Sequence, residues 1–160
     1  MTSILNGIFF GAIAGFVSAL CMTSFEVPLW KKWGMEGVAE WQVNSVMVSM
    51  IYFSRDHRSK KKTSPTYLTV AMHLFHGVIL GIIFAFLETY VIGFGVLFFS
   101  VVSAVAYSML LWIISPWATR KFFETRGGFQ MSTKGLTVSL FSHIIYGVLL
   151  GLFLFQLLGH

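Results

Sequence analysis

Residues 67–115, YLTVAMHLFHGVILGIIFAFLETYVIGFGVLFFSVVSAVAYSMLLWIIS, contain a single formal charge, Glu88, and their reading decides the fold. The apolar residues run on continuously instead of alternating, so the stretch reads as helix rather than strand. A bilayer core of ~30 Å needs ~20 helical residues. The stretch holds two such lengths, 67–87 and 91–115, separated by Glu88-Thr89-Tyr90. Working outward, runs 3–25 and 136–158 have the same character. Backbone groups at that depth are satisfied only within helices or a closed barrel. The expected architecture is therefore all-α: a four-transmembrane-helix bundle forming a single integral membrane domain over 1–160, with a cytoplasmic insertion at 34–66.

Composition agrees. The 160 residues are 56 % hydrophobic and only 11 % charged, against about 25 % charged in soluble domains. Mean hydropathy is +0.79. A soluble enzyme, a disulfide scaffold and a disordered chain are all excluded as readings. One cysteine, Cys21, forms no internal disulfide. The first run lacks a positively charged leader, and Leu20 before Cys21 suits lipoprotein processing poorly, so we expect a retained span.

Every Lys and Arg lies in two connections. Lys31, Lys32, Arg55, Arg58, Lys60, Lys61 and Lys62 fall between runs one and two, and Arg120, Lys121, Arg126 and Lys134 between runs three and four. Positive-inside bias then places both connections in the cytoplasm and both termini outside a cell (inner) membrane. In the first connection Ala39, Val43, Val46, Met47 and Met50 recur at helical spacing, with Glu36, Glu40, Asn44 and Ser45 elsewhere. That pattern suits an amphipathic helix in the headgroup plane, with Trp41 as its anchor. Arg55, Arg58, Lys60, Lys61 and Lys62 would face anionic lipid headgroups. No nucleic-acid module is present, so lipids and other membrane subunits are the expected partners, and nucleic acid is not.

An internal repeat is visible. His73-Leu-Phe-His76-Gly77-Val78-Ile-Leu80-Gly81 aligns with His143-Ile-Ile-Tyr146-Gly147-Val148-Leu-Leu150-Gly151, and Gly7, Phe10, Val17 and Pro28 align more loosely with Gly95, Phe98, Val105 and Pro116. Two parallel helical-hairpin repeats would be related by an axis along the membrane normal. Gly7, Gly11 and Gly15, Gly77 and Gly81, and Gly147 and Gly151 are spaced four apart, which suits close helix packing in lipid. His73 and His143 each precede such a glycine by four residues and share its face.

Ionisable residues in hydrocarbon are costly and mark function. Glu26, His73, His76 and His143 fall at one depth toward the basic side, with Tyr146 nearby. The layer could lock the helices in register. It could carry a proton or ion, because imidazole titrates near neutrality. Glu26, His73 and His143 could also ligate a transition metal, or the two histidines a haem; no cofactor is the leading expectation. Trp30, Trp33, Trp112 and Trp117 fit interfacial anchors, while His57 and His160 suit solvated positions. No phosphate-binding loop, nucleophile elbow or acyl-transfer triad occurs.

Gly11-Ala-Ile-Ala-Gly15-Phe-Val-Ser-Ala19 and Phe25-Glu26-Val27-Pro28-Leu29 resemble the opening of the YagU-type family of small inner-membrane proteins. The resemblance implies a four-helix membrane protein, a special role for Glu26, and His73 and His143 as counterparts of the family's later histidines. It implies no reaction. Small size and little extramembrane mass suggest a non-catalytic accessory or assembly subunit of a larger membrane complex, one option being a redox or monooxygenase assembly. A proton- or ion-conducting or transport protein is the first alternative, and a haem- or metal-binding electron carrier the second.

Overall fold

A computed structural model describes residues 4–34, 37–53, 66–92, 95–127 and 130–158. The helices are α1 (Ile4–Trp33), α2 (Ala39–Phe53), α3 (Thr66–Leu87), α4 (Leu97–Trp112), α5 (Arg120–Gly127) and α6 (Thr133–Leu158), and no strand occurs among the described residues. Four stretches are long and apolar enough to cross a membrane: Ile4–Trp33, Tyr67–Ile92, Leu97–Ser115 and Thr133–Leu158. The architecture is thus an all-α, four-span bundle.

The span ends differ from expectation in instructive ways. α1 runs on through Pro28 to Trp33, beyond the expected end at residue 25. α3 does not stop at the Glu88 turn but continues through a π-helical turn, Glu88–Ile92, and α4 begins only at Leu97. A second π turn, Ile113–Ala118, extends α4 and contains Pro116. A proline has no N–H to close the α-helical bond, and here the Thr119 N–H closes a wider ring onto the Ile114 carbonyl.

α1 packs on α3 and α4 on α6, so each pair forms a hairpin, and α1 also packs along α6. The backbones of α3 and α4 stay apart. Tyr107 bridges them, its hydroxyl donating to the Leu80 carbonyl at 3.2 Å and its ring lying 5.1 Å from that of Phe84. Glycine makes both hairpins possible. A Cβ on Gly11 would lie 2.8 Å from the Ile82 Cα, and one on Gly147 2.7 Å from the Val105 Cα. Gly77 meets Gly15 and Ala19, and Gly81 meets Gly11 and Gly15. In the second hairpin Gly147 meets Ala104 and Ser108, and Gly151 meets Ser100 and Ala104.

The same pattern of close approach thus recurs, one residue away from the sequence alignment. Gly11, Gly15 and Ala19 take the places of Ser100, Ala104 and Ser108, not those implied by pairing Gly7 with Gly95. Gly7 is also a correction. A Cβ there would meet nothing within 4 Å, so it is not part of the packing stripe.

α2 departs most from the sequence reading. Its residues 39–44 are all buried, because its apolar side chains pack on two faces and the polar ones between them find partners inside the bundle. Ala39, Val43 and Val46 join Phe123, Met131 and Leu136 in one cluster, while Trp41 joins Val38 and Val138, with Trp30 and Trp33 against them, in another. Trp41 is therefore no surface anchor: it is 1 % exposed, its ring 5.3 Å from that of Trp30. Arg55, Arg58, Lys60, Lys61 and Lys62 lie outside the described residues, as do Glu36, His57 and His160.

Candidate functional site

The described basic residues, the C-terminal ends of α1 and α4, and the helices α2 and α5 share one end of the bundle. There α2 lies against α3, α5 and α6 and feeds its polar side chains inward. Glu26 is fully buried on α1. The indole Nε1 of Trp41 donates to its Oε2 at 2.7 Å, and His73 Nε2 stands 3.7 Å from the same oxygen. On the far side of that ring, His73 Nδ1 lies 3.3 Å from Asn44 Nδ2. The Asn44 Oδ1 is 2.9 Å from His76 Nδ1. An amide nitrogen only donates and its oxygen only accepts. The geometry therefore puts the His73 proton on Nε2, facing Glu26, and the His76 proton on Nδ1.

His143 belongs to a second pair. Its Nδ1 reaches both the Ser139 carbonyl, at 2.9 Å, and Glu40 Oε1, at 3.2 Å. Two acceptors on one nitrogen require the proton there. The Ser139 hydroxyl donates to the same Glu40 oxygen. Ser108 donates to the His143 carbonyl at 2.7 Å, tying the α6 backbone to α4. The Tyr146 hydroxyl donates to the Gly77 carbonyl at 3.0 Å and links α6 to α3.

Glu26, His73, His76, His143 and Tyr146 are thus brought together, as their spacing suggests. They assemble as two carboxylate–imidazole pairs rather than one triad, because Glu40 supplies the second carboxylate. Glu40, Asn44 and Trp41 are the residues that the sequence reading turned outward. Their signal was present: Glu40 and Asn44 are four apart on a helix whose flanks are both apolar. Among the described residues no group of three or more His, Cys, Asp or Glu is arranged to hold a metal ion.

Beside the pairs lies a cavity of about 380 Å³. Its inner wall carries Glu40, Asn44, His73, His76, His143 and Tyr146, and the remainder is chiefly apolar, from α1 through α5. Several buried polar atoms here have no hydrogen-bond partner, among them Glu40 Oε2, the Ser18 hydroxyl and His73 Nε2, whose 3.7 Å approach to Glu26 is an ion-pair distance rather than a hydrogen bond.

A separate carboxylate occupies the other end. Glu88, expected in a solvated turn, is fully buried. The π turn swings it back onto α4, where Ser100 donates to Oε1 at 2.6 Å and Ser103 to Oε2 at 3.0 Å. Outside the spans, Glu124 Oε1 accepts from Arg120 Nε at 2.8 Å and from the Met131 N–H at 2.7 Å. The Arg120 hydrogen bond, with that of Met131, holds the Glu124 carboxyl below its ordinary value. No family model, no curated protein and no solved structure matches this chain.

Proposed function

We propose that this chain is a small proton-linked transport protein of the cell membrane, working through the Glu26–His73 and Glu40–His143 pairs. The observation that carries the reading is the placement of both pairs inside the bundle beside a cavity. Titratable groups at such depth are retained at a cost and serve ion or proton pathways by default. A carboxylate beside an imidazole can pass a proton without leaving a net charge stranded. The inward direction of the polar layer supports this reading over the accessory-subunit expectation, since an assembly subunit needs only its outer faces. Glu26 is also the residue that the YagU-type resemblance singles out. In this reading the basic connections face the cytoplasm and both termini lie outside.

Proteoliposomes holding the purified chain, loaded with a pH-sensitive dye and given a pH gradient, test it. The expected result is proton movement above that of protein-free vesicles, lost in Glu26→Gln and in Glu40→Gln. Movement no faster than in protein-free vesicles, with or without candidate substrates, would overturn it.

A further inference from the structure

We propose that the cavity binds a hydrophobic organic cation, its charge seated against Glu40. The proposal rests on the transport reading for its purpose but on separate observations for its chemistry. The first is size: about 380 Å³ falls among clefts that hold drug-sized ligands, which are mostly apolar with a few placed polar groups.

The second is charge. Among the described residues the lining contains Glu40 and no Lys or Arg. Glu40 is 8 % exposed, and its Oε2 is buried without a partner, while Oε1 is occupied by Ser139 and His143. An anion placed here would meet the Glu40 carboxylate. A neutral hydrocarbon would leave a buried acceptor unmet, which is the costly outcome for polar groups away from water. A cation answers both. Phe123 and Tyr146 line the same space, and aromatic faces attract cations.

The third observation is access. Ile79 on α3 and Ile114 at the end of α4 both line the cavity and are 38 % and 51 % exposed. These are the two helices whose backbones stay apart. The gap between them is the route by which, in this proposal, a ligand with hydrophobic bulk enters from the lipid phase. A small hydrated metal cation has no such route and no ligand set.

The test compares two probes of nearly equal size and opposite charge, tetraphenylphosphonium and tetraphenylborate, binding to the purified full-length chain in detergent. Saturable binding of tetraphenylphosphonium, with tetraphenylborate at least ten-fold weaker, is expected. Glu40→Gln should weaken tetraphenylphosphonium ten-fold or more. Glu88→Gln, at the opposite end, should leave it unchanged. Equal binding of both probes, no saturable tetraphenylphosphonium binding, or unaltered affinity in Glu40→Gln would overturn the proposal. The probe comparison uses the unaltered chain, so it holds even if a variant folds poorly. Cation binding without proton movement in vesicles would count against the transport reading alone. Proton movement without cation binding would count against this proposal alone.

Discussion

Replacing Gly15 with alanine puts the packing of the first hairpin to a quantitative test. The new methyl would press hardest on the Gly77 carbonyl oxygen and would sit 2.9 Å from the Gly81 Cα and 3.1 Å from the Gly77 carbonyl carbon. Heavy atoms settle at ~3.5–4.0 Å, so α1 and α3 must part by about 1 Å or more. A gap of that order forfeits about a quarter to a half of each contact's dispersion energy along the seam. Overpacking of this kind costs ~1–3 kcal/mol. Alanine also favours the helix over glycine by up to ~1 kcal/mol, which would mask part of the loss. Gly7→Ala removes that ambiguity, because it carries the same helix preference but meets nothing within 4 Å. Gly7→Ala should therefore be neutral or stabilising, with Gly15→Ala less stable than it by ~1–3 kcal/mol. Reversible unfolding in mixed micelles, followed by circular dichroism, measures the difference. Equal stabilities of the two variants would refute the assignment of Gly15 to a backbone-to-backbone seam.

Trp41→Phe removes the 2.7 Å bond to Glu26 and strips a buried carboxylate oxygen of its donor, so the same unfolding assay should show a loss of ~1–3 kcal/mol. Ser100→Ala should cost more than Ser103→Ala, because the Ser100 hydroxyl is buried and gives Glu88 the shorter bond; equal losses would count against that ranking. Because Arg120 and the Met131 N–H lower the Glu124 carboxyl below its unfolded value, the stability it contributes is present above the ordinary carboxylate range. That contribution fades as pH falls through the lower, folded value. Protease cleavage between α5 and α6 should accordingly quicken on acidification, and Glu124→Gln should flatten the pH dependence.

The four spans were legible because ~20-residue apolar runs have few other uses. Glu26, His73 and His143 were legible because a titratable group stands out inside such a run. What periodicity conveys is which residues share a helix face, not which neighbour that face meets. Glu40 and Asn44 therefore looked solvated, since a polar stripe reads alike whether it turns toward water or toward buried imidazoles. Only the apolar residues on both flanks, Val38 and Trp41 as well as Val43 and Val46, hinted that the first half of α2 is covered on more than one side. Glu88 misled for a related reason. An acid beside Thr and Tyr resembles a turn, and nothing local shows that a widened helical turn carries it back to two serines. The one-residue shift between hairpins is not legible in the sequence, because Gly7 is in register with Gly11 yet has room for a Cβ that Gly11 lacks.

The proposed entry between α3 and α4 lies at the basic end of the bundle. Beyond it the glycine seams hold each hairpin closed, and at the far end Glu88 is tied to Ser100 and Ser103. A π turn ends α3 at Glu88–Ile92 and another extends α4 at Ile113–Ala118, so each of the two helices flanking that route carries one widened turn. A ligand admitted at the basic end therefore faces tightly packed backbone on both hairpins before it could reach the Glu88 end.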